Sequence, residues 1–434
     1  MKAFKSLTVY SEKAILAGIF TEKPHDDDDL LAMEELQRLA ETAGARILTS
    51  IVQNRHRPDS ATLFGKGKVE ELNALAQSID ADVVIFNNDL TPAQVRNLEE
   101  ALKLKVIDRS ELILDIFATH AQTRQAKLQV ELAQLEYTLP RLKHLWTHLS
   151  KIEGGIGIGQ RGPGEKQLEM DRRIARDKIS KLKNEINELQ AHKVREVTAR
   201  AENYTVSLIG YTNAGKSTLM KRLTGADVLV QDKLFSTLDT KTHTWQFSSG
   251  QKVLLSDTVG FIRNLPHNLV ASFHATLEEV SQADILLHVI DVSAQNAEMQ
   301  IDSVNAVLKE LKCLDKNILL VFNKIDLADD DLHLSMLRNK YPEAISISAL
   351  SGTGMDILEK TVNSHMHGKQ NEIELIVPVQ NGKLLAYLSE KGRILSKELK
   401  KTKFHIRVML GNRDAVIVKR MNNERSSEGR GTAE

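Results

Sequence analysis

Eight residues constrain this chain more than any others: Gly210-Tyr211-Thr212-Asn213-Ala214-Gly215-Lys216-Ser217. An apolar run at 204–209 precedes them, and a helical pattern at 218–223 follows, opened by Thr218. Glycines let such a turn wrap tightly, so that successive N–H groups converge on phosphate oxygens. The helix behind the turn adds its positive end. Lys216 offers a point charge to the β- and γ-phosphates, and the Ser217 hydroxyl suits Mg²⁺. Strand, phosphate turn and helix in this order belong to doubly wound, mostly parallel α/β sheets.

A chain of 434 residues holds two to four domains. Its 41% apolar and 27% charged content is that of a soluble globular protein. With a formal net charge of zero, any surface for nucleic acid has to be local. The single cysteine, Cys313, excludes an internal disulfide framework and reads as a buried packing residue in a reducing compartment. No apolar run reaches the roughly 18 residues of a membrane span, and no signal-peptide core is visible. The expectation is a cytoplasmic protein, with peripheral membrane association as the alternative.

Residues 1–110 alternate strands (14–20, 46–52, 82–86, 105–107) with helices (30–43, 68–79, 91–102), which argues for a small α/β domain. The acidic run Asp26–Asp29 reads as a solvated loop before a helix. Gly65-Lys66-Gly67-Lys68 at a helix start reads either as a tight turn or as a weak phosphate site. Residues 111–150 read as one long helix whose Leu128, Leu132, Leu135, Leu139, Leu142, Trp146 and Leu149 form a narrow apolar seam, with Pro140 expected to kink or interrupt it. A second seam, Ala175, Ile179, Leu182, Ile186 and Leu189, completes an antiparallel hairpin over 111–200. Thirty helical residues span roughly 45 Å, so the hairpin can project as an arm.

The arm's tip, 153–164, carries six glycines between Gly154 and Gly164, together with Arg161. Between Arg141 and Arg200 stand 14 Lys/Arg against 8 Asp/Glu. A basic, glycine-tipped arm on a neutral protein suits contact with a polyanion; a floppy linker is the plainer alternative. His144 and His148 have metal-ligand spacing but no third ligand, so a solvated helix face is the simpler reading. Residues 203–368 read as a larger α/β domain with strands at 206–209, 252–257, 285–291, 318–323 and 344–348. Residues 371–421 read as a small α+β domain, strands 372–378 and 404–410 flanking a helix at 382–399. Residues 422–434 read as a disordered tail.

Later motifs choose the nucleotide. Asn323-Lys324-Ile325-Asp326 follows a strand. Asp326 can accept guanine N1–H and N2–H₂, which adenine does not offer, and such sites discriminate by roughly 10⁴-fold. Asn323 can reach the other base edge and hold the phosphate loop, and the Lys324 stem can cover the ring. Ser348-Ala349-Leu350 closes the pocket, with the Ala349 N–H as a donor to guanine O6. Asp257-Thr258-Val259-Gly260 ends another strand. Asp257 suits the outer coordination of Mg²⁺, and the Gly260 N–H can approach the γ-phosphate. In Phe235-Ser236-Thr237-Leu238-Asp239, Thr237 is the natural switch residue, its hydroxyl completing the Mg²⁺ shell when a γ-phosphate is present. Together these order a GTPase binding GTP/GDP with Mg²⁺, Lys216, Thr237 and Gly260 being its catalytic groups. Phe261 stands where many GTPases carry a water-orienting glutamine, so hydrolysis should be slow without outside help. Asn213 has two readings, a turn residue or a ligand for K⁺.

With these residues assembled, the chain resembles the HflX family of translation-associated GTPases. The resemblance is carried by 154–173 (GGIGIGQRGPGEKQLEMDRR), 109–135 (RSELILDIFATHAQTRQAKLQVELAQL), 65–72 (GKGKVEEL), 235–239 and 257–266 (DTVGFIRNLP). Lys166 and Met170 stand where the family pattern has threonines. It implies a GTPase acting on the 50S subunit and the 70S ribosome, including ribosomal RNA, that dissociates stalled or idle ribosomes, with the glycine-rich loop reaching RNA. It also implies a monomer whose hydrolysis ribosomes stimulate. The alternatives are a large-subunit assembly factor and, in a different class, a regulatory scaffold of a membrane protease.

Overall fold

The computed structural model describes residues 11–20, 26–152, 163–199, 204–226, 234–235, 240–263, 279–328, 331–367, 371–400, 402–410, 417–418 and 421–422. The chain divides into two compact units, Met1–Thr353 and Gly354–Glu434.

The first unit opens with a four-stranded parallel sheet, order β2-β1-β3-β4, from β1 (Lys13–Phe20), β2 (Arg46–Asn54), β3 (Val83–Phe86) and β4 (Lys105–Asp108). Alternation along β1 sorts its two faces. Ala14 and Leu16 pack with α1 (Asp26–Thr42) and α4 (Arg109–His120). Ile15, Ala17 and Ile19 pack with α2 (Lys66–Ser78) and α3 (Pro92–Leu102). The acidic run expected as a loop is instead the first turn of α1.

The single helix expected over 111–150 is two. α4 ends at His120, and α5 (Arg124–Ile152) starts behind Thr123, whose hydroxyl accepts the Ala126 N–H at 3.1 Å as a cap. Pro140 does not interrupt α5. The turns beside it are anchored to the sheet edge. Asp108, fully buried, accepts from Tyr137 Oη at 2.8 Å and Arg141 Nη2 at 3.0 Å, and the Arg141 guanidinium lies 3.4 Å from the Tyr137 ring centre. Burial, then the Asp108 carboxylate, push neighbouring Glu111 up to about 7. α5 packs on α6 (Pro163–Ala199) through Leu128, Leu132 and Leu135 against Ile179, Leu182 and Ile186, the expected seam. Pro163 and Gly164, expected in the loop, begin α6. Residues 153–162 and the side chains of His144 and His148 lie outside the described residues.

A six-stranded sheet follows, order β10-β9-β8-β5-β7-β6: β5 (Tyr204–Gly210), β6 (Lys241–Gln246), β7 (Lys252–Asp257), β8 (Ile285–Asp291), β9 (Asn317–Asn323) and β10 (Ile345–Ser346). All neighbours are parallel except β6 on β7. The helices here are α7 (Lys216–Thr224), α8 (Ala297–Glu310) and α9 (Asp331–Lys340). Cys313 is buried, as expected.

The second unit holds α10 (Met355–His367), β11 (Asn371–Pro378), α11 (Gly382–Lys391), β12 (Arg393–Lys400) and β13 (Lys403–Leu410), with an antiparallel sheet of order β11-β13-β12. The helix expected over 382–399 stops at Lys391, and its remainder is β12. At the break, Gly392 lies so close to β13 that a Cβ would meet Val408 Cγ2 at 2.5 Å. Among the described residues no helix is long and apolar enough to cross a membrane.

Candidate nucleotide-binding site

The parallel sheet brings motifs far apart in sequence to one edge. β5, β7, β8 and β9 end at Gly210, Asp257, Asp291 and Asn323, and ligands of such sheets bind at these carboxyl ends. The turn from β5 into α7 closes on Gly215, at φ +90°, where a Cβ would lie 2.3 Å from Asn323 Nδ2. Asn213 sits at φ +63°, a left-handed conformation asparagine tolerates, which meets the turn reading of that residue.

Lys216 is buried, and its Nζ donates to the carbonyls of Gly210 (3.0 Å) and Tyr211 (2.7 Å). Burial pulls its ammonium down to about 8, with the Asp257 carboxylate acting the other way. Ser217 Oγ donates to Asp257 Oδ2 at 2.7 Å. Two hard oxygen donors side by side are what Mg²⁺ takes, so these residues fit the ion. The Thr258 hydroxyl is spent inside the fold, donating to Leu208 O at 2.6 Å.

Gly260 lies on the phosphate loop: a Cβ would be 2.8 Å from Thr212 Cα and 3.1 Å from Lys216 Nζ. Phe261 pairs with the same loop, its N–H donating to Gly210 O (3.1 Å) and its carbonyl accepting from Thr212 N (2.7 Å). The Phe261 ring is buried in a cluster with Ile209, Val280 and Leu286, so it orients no water. Val259 is buried on the α1/α4 side.

On the base side, Asn323 Nδ2 donates to Ala214 O and its Oδ1 accepts the Ala349 N–H, both at 2.9 Å. The N–H expected to serve guanine O6 is therefore held here by Asn323. Lys324 Nζ pairs with Asp291 at 2.7 Å, and Asp326 is exposed. Ser348 Oγ accepts from Ser351 N at 3.0 Å; Leu350 is exposed. Ser217 and Thr218 open α7. Of the switch segment, Phe235 is buried in edge-to-face contact with Phe117 (centroids 4.7 Å apart), so its ring serves the core. Ser236, Thr237, Leu238 and Asp239 lie outside the described residues.

Sequence reasoning missed how the N-terminal sheet meets this site. Tyr211 Oη donates to Glu35 Oε2 (2.7 Å) and accepts from Arg263 N (2.8 Å). Arg109 Nη2 donates to Glu35 Oε1 (2.7 Å) and Arg263 O (2.9 Å), closing a ring. Burial, followed by the Glu35 carboxylate, pushes the Tyr211 phenol up, so it stays a donor. Leu234, Phe235, Val259 and Ile262 extend the α1/α4 core across the same boundary. Beside it lies a cavity of about 270 Å³ lined by Glu34, Arg38, Tyr211, Asn213, Asp291 and Asn296. A tyrosine in a phosphate loop was the available signal, since a buried phenol needs a partner.

A parallel sheet with a phosphate loop, a Ser–Asp oxygen couple beside it and an Asn-Lys-x-Asp turn two strands away defines a P-loop GTPase. Comparison with known proteins agrees. Residues 31–118 match the GTP-binding GTPase N-terminal family, 120–200 the GTP-binding GTPase Middle Region, and 205–324 the family described as 50S ribosome-binding GTPase. GTPase HflX of Lacrimispora saccharolytica is 42% identical over 389 residues, covering 89% of this chain and 90% of that protein. GTPase HflX of Escherichia coli K12 is 42% identical over 376 residues, covering 86% and 87%. A solved GTP-binding protein from Sulfolobus solfataricus in complex with GDP is 26% identical with a TM-score of 0.44, covering 82% of this chain and 98% of that one. The chain belongs to the HflX family of GTPases.

Proposed function

We propose that this protein is a GTP-driven switch that binds the 50S subunit and dissociates stalled or idle 70S ribosomes, hydrolysis to GDP and phosphate resetting it. The observation that carries this reading is the attachment of the arm. α6 ends at Ala199 and β5 begins at Tyr204, so the basic hairpin runs almost directly into the strand that presents the phosphate loop. The likeness of 205–324 to 50S ribosome-binding GTPases supports the same partner. The protein works in the cytoplasm as a monomer.

Bound GTP with Mg²⁺ supplies the scissile phosphoanhydride and the divalent charge that neutralises it. The loop's N–H groups, Gly210 to Thr218, and Lys216 hold the phosphates. Ser217 and Thr237 would hold the ion, with Asp257 orienting Ser217. Gly260 offers its N–H to the terminal phosphate, while Asn323, Lys324 and Asp326 read the base, Asn323 also holding the Ala349 turn beside it. Phe261 is part of the core, so ordering the attacking water falls to other groups, which is why docking on the ribosome accelerates hydrolysis. On this reading Asn213 ligates K⁺; exchanging K⁺ for Na⁺ is expected to lower turnover, and equal turnover in both salts removes that role.

The test is to incubate the full chain and a non-hydrolysable GTP analogue with 70S ribosomes and resolve the particles on a sucrose gradient. Conversion of the 70S peak to subunits is expected, and Lys216→Ala should leave the peak intact. An unaltered 70S peak with wild-type protein, together with binding to immature large subunits, would establish the assembly-factor reading instead.

A further inference from the structure

Helix α7 carries a residue that belongs to none of the nucleotide motifs yet touches one of them. Arg222 Nε donates to Ala349 O at 3.1 Å, and its Nη2 donates to Leu350 O. Gly352, in the same turn, lies beside the guanidinium, where a Cβ would make ordinary van der Waals contact with its carbon at 3.4 Å. The turn is internally knitted: Gly352 N donates to Ser348 O at 2.8 Å and Ser348 N to Thr353 O at 3.0 Å.

The Ala349 residue is thus held from two directions. Its N–H is held by Asn323, which in turn holds Ala214 of the phosphate loop. Its carbonyl is held by Arg222, which stands on the helix that the phosphate loop opens. A forked guanidinium fixes two neighbouring carbonyls at once, which a single ammonium cannot do as well. Fixing the Ala349 carbonyl fixes the Ala349–Leu350 peptide plane, and hence the direction of the Leu350 N–H.

We propose that Arg222 is a positioning residue for guanine recognition, registering the Ser348–Leu350 turn against the phosphate-loop helix so that the Leu350 N–H meets the six-oxo edge of the base. This rests on the guanine reading of the site given above. The role is selective. GDP and IDP share the six-oxo group, whereas 2-aminoadenosine diphosphate keeps the two-amino group that Asp326 reads but has a six-amino group instead.

The experiment measures the affinities of full-length wild type, Arg222→Met and Arg222→Lys for GDP, IDP and 2-aminoadenosine diphosphate by displacement of a fluorescent nucleotide, with melting temperatures alongside. Arg222→Met should weaken GDP and IDP together by about fivefold to tenfold, the net scale of one ordinary hydrogen bond to the base. It should leave 2-aminoadenosine diphosphate within about twofold, and Arg222→Lys should recover part of the loss. Equal weakening of all three nucleotides, or of none, overturns the role of Arg222. Should Arg222→Met fail to fold, the same three affinities measured on Arg222→Lys decide the matter by the same criterion. Wild type that does not prefer GDP to 2-aminoadenosine diphosphate removes the guanine reading, and the proposal with it.

Discussion

His288 is the residue least explained by its surroundings. It sits mid-strand in β8, about 1% exposed, in register between Ile209 of β5 and Leu320 of β9, and its Nδ1 has no hydrogen-bond partner among the described residues. Burial, then the charge of Lys216, pushes its imidazole down to about 3. The folded protein therefore refuses a proton that the unfolded chain accepts below about pH 6.5, so stability falls as pH drops through that window. Between pH 6 and pH 5 this is worth about 1 kcal/mol. His288→Leu should flatten that part of the acid limb and raise stability at pH 7 by about 1 kcal/mol. Denaturant titrations at both pH values check it; an unchanged acid limb in the variant would refute the account. Residues of this kind are illegible in sequence, because a histidine in an apolar run looks the same whether or not it has a partner. Lys216, Asn323 and Asp326 are legible because their chemistry needs fixed spacing next to a strand end.

Elements are readable where a single period runs uninterrupted. The alternating strands of the N-terminal sheet and the leucine seam of the arm match their patterns nearly throughout. Three elements do not. β12 reads as helix because Ile394, Leu395 and Leu399 also suit a helical spacing, and only the close approach of Gly392 to Val408 ends α11. α5 continues through Pro140 because the anchoring of Tyr137 and Arg141 on Asp108 outweighs a local helix penalty of about 3 kcal/mol. β6, an antiparallel edge strand with half its residues exposed and only Trp245 buried, has too weak a pattern to announce itself. The seam makes its own prediction. Leu182 is about 5% exposed between Leu132 and Ile186, so Leu182→Ala should cost about 2–4 kcal/mol. Loosening should be local to the arm, read as faster proteolysis within α5 and α6 at unchanged GDP affinity; uniform protection would show that the two helices do not depend on this contact.

At the scale of the first compact unit, the N-terminal sheet and the GTPase sheet share a core and a polar ring. Glu35 and Arg109 hold Tyr211 of the phosphate loop and the backbone of Arg263, two residues past Phe261. Gly260 lies against Lys216; in the proposed function the terminal phosphate is received there, and lifting this segment to admit it would work against the ring. Tyr211→Phe removes two hydrogen bonds and leaves Glu35 and Arg263 short of a partner, about 1–2 kcal/mol. It should raise affinity for a GTP analogue relative to GDP by about threefold to tenfold, measured by equilibrium titration of both. An unchanged ratio would mean that the ring does not resist the switch.

The amino-acid order alone specified a phosphate-binding loop between a strand and a helix, a guanine-type turn at the end of a later strand, a basic hairpin and the family. Each of these is a local pattern whose chemistry depends on residues within one turn, one strand or one seam. Which surfaces meet was settled only by folding. The Arg222 hold on the Ala349 turn, the ring of Glu35, Arg109, Tyr211 and Arg263, and the lodging of Phe261 and Phe235 in cores all join residues far apart in the chain. Their partners are chosen by sheet order and helix packing, which no spacing along the chain encodes.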